Sequence, residues 1–216
     1  AAREPPPGEI GEIIDRGPDV PKRCDALPDA TALAKIQTRA DKYQGPSTKF
    51  QEVSGAAAPS LATSPLALGP FAAGTAATWH RMGDCGYFDP LGRLWFCGRK
   101  VERILTADGP LFTEPCEQVF RSHPQVARCA LIGLGVSGKQ LPALVIQPRE
   151  KLSVAGNTAL ARELRSLAAA HPTTAGITRF YFHKNFPVDV RHNAKIHRLT
   201  LARWAAAHER RAIVVS

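Results

Sequence analysis

Three polar residues stand where their chemistry would be usable. Residues 79–99 read WHRMGDCGYFDPLGRLWFCGR, so that Asp84 follows one glycine and Arg99 follows another. Farther along, Asn193-Ala194-Lys195-Ile196-His197-Arg198 sets Lys195 in a basic stretch that also holds Arg191 and His192. An ionised carboxylate only accepts, so Asp84 suits two O–H donors at once. The planar fork of Arg99 matches an anionic oxygen better than a lysine would. A mobile ammonium such as Lys195 stabilises negative charge that develops in a transition state. Each has a plainer reading: a turn-stabilising acid, a surface ion pair, and solvated charge.

Other chemistries lack their residues. Cys24, Cys85, Cys97, Cys116 and Cys129 lie far apart, with no CxxC pair and no histidine at ligand spacing, so no metal site and no disulfide framework is indicated. Cys85 and Cys97 read as packed thiols, and reduced thiols suggest a cytoplasmic location. Residues 133–138 precede no lysine-bearing helix start and are not a phosphate loop. No stretch approaches the roughly 20 apolar residues of a membrane span, and Arg3, Glu4 and three prolines do not make a secretory signal. The net charge of +9 is uneven: residues 1–78 hold 8 basic and 9 acidic side chains, residues 79–216 hold 20 and 10. That surplus fits an anionic partner, either nucleic acid or a small polyphosphate such as ATP or coenzyme A.

The elements that must hold these residues are legible in part. With 44% hydrophobic residues, the 216-residue chain can bury a core. Residues 9–16 read as a short strand closed by Gly17-Pro18, belonging to a sheet whose remainder lies elsewhere. Residues 38–78 carry 10 alanines among Gly, Pro, Ser and Thr without a sustained period, and are expected to form a low-complexity insertion. Beyond them, Asp89-Pro90-Leu91-Gly92 predicts a hairpin between residues 87–88 and 93–97, and Asp108-Gly109 predicts another. Thr113 is placed to cap a helix running to about Ser122 before His123-Pro124. Apolar runs predict strands at 126–134 and 141–147, a helix at about 157–170 with Leu160, Leu164, Leu167 and Ala168 on one face, a strand at 177–182 and a last helix at about 199–210. The expected fold class is α+β, a small mixed sheet flanked by helices.

The block at 79–99 resembles the conserved Gly-Asp, hairpin, Gly-Arg block of the adenylate-forming (AMP-dependent synthetase, acyl-activating) enzymes. Residues 8–17 look like that family's preceding Gly-Glu-Ile strand, and residues 193–198 resemble its final Asn-Gly-Lys motif. Within the family the likeness leans to the long-chain fatty-acid branch, acyl-CoA ligases and the β-lactone synthetases of bacterial olefin biosynthesis. The resemblance implies a β-rich tail of the large N-terminal domain over residues 1–98 and a C-terminal lid domain over residues 99–216. It implies that Asp84 receives the ribose hydroxyls of ATP or AMP, that Arg99 contacts ribose and phosphate, and that Lys195 is the catalytic lysine of adenylation. The hinge of the lid falls at Lys100 and Val101, where Val101 stands at a position usually Asp or Lys. Gly109 lies in the loop that reaches the acceptor tunnel in relatives using coenzyme A, or is simply a turn glycine. Ala194 replaces the usual glycine before the lysine.

The phosphate loop, acyl pocket and aromatic-Thr-Glu magnesium motif of such enzymes lie upstream of the residues present. The chain is therefore expected to act on a fatty acyl or β-hydroxy fatty acyl substrate only together with that larger domain, which would also bind magnesium and is either a separate polypeptide or lost by truncation. Alone it is expected to be inactive, because orientation is a major part of such catalysis. The second step is left between β-lactone closure and thioester formation with coenzyme A. The alternative from another class is a non-catalytic basic domain binding nucleic acid or a polyphosphate. Arg179, Tyr181, Phe182, His183 and Lys184 fit it superficially, but read better as a strand.

Overall fold

The computed structural model describes residues 6–15, 35–38, 77–189 and 195–216. The chain divides into two compact units, residues 14–82 and residues 1–13 with 83–216. Strand β1 (Gly11–Asp15) forms where residues 9–16 are expected to be extended, and it finds partners within this chain, lying beside residues 77–88 in a four-stranded sheet. β2 (Lys35–Thr38) pairs antiparallel with the first part of β3 (Ala77–Phe88), Lys35 opposite His80 and Thr38 opposite Ala77. The expected insertion at 38–78 thus has strand at both its ends, and the residues between them, like Gly17-Pro18 and Cys24, lie outside the described residues.

The second half of β3 pairs with β4 (Leu94–Arg99) across the Asp89–Gly92 turn, closed by the Gly92 N–H donating to the Asp89 carbonyl at 2.9 Å. A 3₁₀ turn, Lys100–Glu102, leads into a small hairpin of β5 (Ile104–Thr106) and β6 (Gly109–Leu111). Its two-residue loop is Ala107-Asp108, one position earlier than the Asp-Gly reading. Gly109 already pairs with Thr106, at a φ of 126°.

Helix α1 (Thr113–Arg121) begins one residue before the expected capped start. Phe112 is its N-cap and Thr113 lies inside the first turn, its buried hydroxyl without a hydrogen bond among the described residues. β7 (Val126–Leu134) and β8 (Leu141–Pro148) are antiparallel, as their apolar runs indicate. α2 (Val154–Ala169) starts three residues ahead of expectation, where the Ser153 hydroxyl accepts the Gly156 N–H. It supplies the crossover that lets β9 (Arg179–Phe182) lie parallel to β8. β10 (Val188–Asp189) and β11 (Lys195–Ile196) form a short ribbon before α3 (Arg198–Ala207), and β12 (Ile213–Val214) returns along β9.

The central sheet has the order β12-β9-β8-β7 and is buried on both faces. Cys129, Leu131, Leu144, Ile146 and Phe180 point toward α1 and α2, where Cys116, Phe120, Leu160, Ala161, Leu164 and Ala168 meet them. The alternate residues Ala130, Ile132, Ala143, Val145 and Tyr181 meet Leu201 and Ala205 of α3. Burying a side chain such as Leu144 or Ile146 contributes roughly 1.5–3 kcal/mol. This two-sided core fixes α1 and α3, the two helices that border the site.

Candidate active site

The β3–β4 hairpin brings Asp84 and Arg99 together. Its register is set at the turn, where the Asp89 carboxylate accepts the Leu91 and Arg93 backbone N–H groups, the Arg93 Nε–H and the Trp95 Nε1–H at 2.6–2.9 Å. Those bonds, the one from Trp95 foremost, hold the Asp89 carboxyl well below the usual carboxylate range. A bulge between Cys85 and Gly86 then leaves Asp84 directly opposite Arg99. Arg99 Nε lies 3.0 Å from Asp84 Oδ1 as an ion pair without hydrogen-bond alignment, and among the described residues this buried oxygen accepts no hydrogen bond. The Arg99 side chain is 44% exposed.

Gly98 explains the close fit of this hairpin on α1. A Cβ there would collide with the Thr113 hydroxyl, and the backbone sits at φ 111°. Arg99 thereby emerges at the mouth of a cleft of about 320 Å³, which it lines with Phe96, Glu102, Glu114, Lys195 and Arg198. Lys195 reaches the cleft from β11, exposed, where it pairs with Asp189 of β10 while the His197 N–H donates to the Pro187 carbonyl at 2.9 Å. Two of the three sequence-derived residues, Arg99 and Lys195, therefore share one cleft, whereas Asp84 does not line it and is linked to it only by its ion pair with Arg99. Arg191, His192, Asn193 and Ala194 lie outside the described residues.

The expected hinge residues form the 3₁₀ turn. Lys100 Nζ is held by Glu12 at 2.7 Å, whereas Val101 is 74% exposed. Gly109 is in the β5–β6 hairpin and does not line the cleft. Among the described residues, no group of three or more His, Cys, Asp or Glu side chains is placed to hold a metal ion. Nor is any described helix long and apolar enough to cross a membrane. Cys85 and Cys97 are buried and packed; burial pushes the Cys97 thiol up to about 11.

The sequence reading did not single out the charged cluster beneath the cleft. Glu117 is fully buried and accepts Arg198 Nε at 2.7 Å, Arg198 Nη2 at 2.8 Å, Arg121 Nη2 at 2.7 Å and the Leu131 N–H at 2.9 Å. Arg198 also reaches Glu102 at 2.9 Å and Glu114 at 3.4 Å. Burial works against the Arg198 charge, but the Glu117 hydrogen bonds and the three carboxylates outweigh it and raise its pKa. Burial likewise opposes ionisation of Glu114, and the Arg121 hydrogen bond with the charges of Arg121 and Arg198 reverses it, leaving the pKa lowered. A signal was available: Thr113, Cys116, Glu117 and Phe120 share the buried face of α1, so Glu117 is a charge on an apolar stripe.

This α+β arrangement is that of the C-terminal domains of adenylate-forming enzymes. The o-succinylbenzoate CoA synthetase of Bacillus subtilis in complex with its acyl-adenylate intermediate matches at a TM-score of 0.60 and 21% identity, over 91% of this chain and 31% of that one. The amide bond synthetase of Marinactinospora thermotolerans matches at 0.61 and 20%, over 92% and 32%. In sequence, the olefin β-lactone synthetase of Xanthomonas campestris pv. campestris is 42% identical over 199 residues, 92% of this chain and 30% of the relative. That of Stenotrophomonas maltophilia is 43% identical over 207 residues, 95% and 31%. A 4-chlorobenzoate–CoA ligase of Arthrobacter sp. is 39% identical over 56 residues, 26% and 11%. No protein-family profile matches the chain. The chain belongs to the adenylate-forming, AMP-forming ligase family and corresponds to its C-terminal portion, spanning about 30% of the length of the olefin β-lactone synthetases.

Proposed function

We propose that this chain supplies the lid and the ribose-facing edge of an ATP-dependent enzyme that activates a β-hydroxy fatty acid. The observation that carries the reading is the single cleft shared by Arg99 and Lys195, with Asp84 paired behind Arg99. The residues fit a nucleotide: Asp84 Oδ1, ion-paired with Arg99 but accepting no hydrogen bond among the described residues, suits a ribose hydroxyl, and the exposed Arg99 fork suits a ribose or phosphate oxygen. In adenylation a carboxylate oxygen attacks the α-phosphorus and pyrophosphate departs. The Lys195 ammonium bridges the attacking carboxylate and the α-phosphate, offsetting charge that grows in the transition state. Magnesium, which would neutralise the departing pyrophosphate, would be held by the upstream domain.

Residues 1–98 then form the tail of that domain and residues 99–216 the lid, turning at Lys100 and Val101 between half-reactions. For the second step, β-lactone closure is favoured. The likeness to the two β-lactone synthetases runs along more than nine tenths of the chain, while the likeness to the CoA ligase covers about a quarter. In closure the β-hydroxyl oxygen attacks the acyl carbonyl and AMP leaves, so no pantetheine need reach Gly109. Were thioester formation the second step, the Gly109 loop would face coenzyme A. ATP as reactant and buried reduced thiols agree with a cytoplasmic setting.

The test is a graft: this chain replaces the corresponding residues of an olefin β-lactone synthetase, and pyrophosphate and β-lactone are measured with a β-hydroxy fatty acid and ATP. The graft is expected to form both, Lys195→Ala to lower pyrophosphate release at least about a hundredfold, and the chain by itself to release none. A graft whose rate is indifferent to Lys195 would sink the reading.

A further inference from the structure

Arg198 follows the lysine ribbon by two positions in the chain, lines the cleft beside Lys195, and bonds both the hinge turn and the buried Glu117. It opens α3 three positions after Lys195, is 8% exposed, and grips Glu117 with two donors at 2.7 and 2.8 Å. Its remaining arm, Nη1, donates to Glu102 at 2.9 Å, and Glu102 is the last residue of the 3₁₀ turn that begins at Lys100. Lys195 itself is exposed on a two-residue strand, with no side-chain hydrogen bond or ion pair among the described residues.

We infer that Arg198 and Glu102 form a positioning lock that fastens the Lys195 strand to the pivot-side turn of the lid. The inference rests on the reading of Lys195 as the adenylation lysine and of Lys100–Val101 as the hinge. The physical argument is one of reach. A lysine carries its charge on four rotatable carbons, so its placement depends on how firmly its backbone is held. The β10–β11 ribbon offers two residue pairs, and a ribbon that short is marginal without support. The Glu117 arm fixes Arg198 to the core, but only the Glu102 arm ties that fixed point to the turn about which the lid swings. With the arm in place, rotation at the hinge carries Lys195 as part of one rigid body. Without it, the lysine strand and the turn move independently, and misplacement of a catalytic group by about 1 Å can cost a hundredfold in rate. Both members of the pair are about nine-tenths buried, so water does not substitute freely for either.

The experiment is amide hydrogen exchange on the full chain, comparing wild type with Glu102→Gln and Arg198→Lys, read in peptides covering 100–103, 195–201 and 126–148. Glu102→Gln removes the charge of one arm and leaves the Glu117 pair. It is expected to speed exchange about tenfold in 100–103 and at the His197 amide, with the 126–148 peptides unchanged. Arg198→Lys keeps the charge while losing the fork, and is expected to do the same with some loss of core protection. Unchanged exchange in 195–201 overturns the lock; so does an equal acceleration throughout 126–148, which would make the pair a general stabiliser.

In the graft, Glu102→Gln is expected to lower kcat for pyrophosphate release about tenfold at unchanged KM for ATP, with Glu102→Asp restoring part of it. A rise in KM at unchanged kcat would overturn the positioning role. A graft inactive even with this chain's own sequence, alongside the expected exchange pattern, would sink the acyl-activating reading and leave the lock standing.

Discussion

Glu117 and Arg198, 81 positions apart in the chain, meet through two hydrogen bonds in the interior of the C-terminal unit. Removing one partner of such a pair strands the other's charge out of water, which costs about 3–5 kcal/mol. Glu117→Ala is therefore expected to lower the urea midpoint of the chain sharply, and Glu117→Gln to lower it less because the amide still accepts a hydrogen bond. A midpoint that Glu117→Ala leaves in place would mean that this carboxylate is solvated.

Two glycines of the β3–β4 hairpin separate backbone strain from steric exclusion. Gly83 and Gly98 both sit at positive φ, but a Cβ on Gly83 meets open space, whereas one on Gly98 runs into Thr113. Gly83→Ala should cost about 1 kcal/mol from backbone strain alone. Gly98→Ala should cost at least about 2 kcal/mol more, and Thr113→Ala should recover part of that difference. Chemical denaturation of the three variants measures this, and equal costs at the two glycines would refute the packing account.

Much of this architecture is written plainly in the chain, and the parts that are not share a cause. The apolar runs at 126–134 and 141–147 mark β7 and β8 because strands covered on both faces need no alternation. The start of α2 is hidden by Gly156 in its first turn, which masks the Ser153 cap. β12 is two residues long and carries no period; only its partner β9 makes it a strand. The site divides in the same way. Asp84, Arg99 and Lys195 stand in local motifs and are legible as such, whereas the Arg198 cluster is assembled from four separate elements and becomes visible only when the helices pack.

Acid and alkali should erode stability for different reasons. The folded pKa of Glu114 lies below its ordinary value of 4.5. Its contribution is whole above that value and is lost as pH falls through the folded pKa. Burial pushes the thiols of Cys116 and Cys129 from 9.0 up to about 12. Their contribution is whole below pH 9 and is lost as pH rises toward 12. Thermal midpoints from pH 3 to 11 are expected to show a plateau between about 5 and 9. In Glu114→Gln the acid limb should flatten while the alkaline limb stays.

The same burial predicts thiol behaviour. Cys85, Cys97, Cys116 and Cys129 are at most 2% exposed, and each has its pKa raised. At pH 8 they should react with a water-soluble disulfide reagent only as fast as the fold opens, and at once in 6 M guanidinium, with a rise in native reactivity in Glu117→Ala. Prompt native modification of Cys129 would contradict its packing.

The joining of Glu117 to Arg198 also sets an order of events during synthesis. Helix α1 and the β7–β8 hairpin are translated long before residue 198, yet burying Glu117 ahead of Arg198 leaves Arg121 as its one counter-charge among the described residues. A nascent chain halted before α3 therefore holds a sheet with one face bare and an anion it cannot comfortably enclose. The C-terminal unit is therefore expected to close late, once α3 emerges from the ribosome, and a stalled chain ending short of residue 198 should be readily cleaved by protease where the finished one resists.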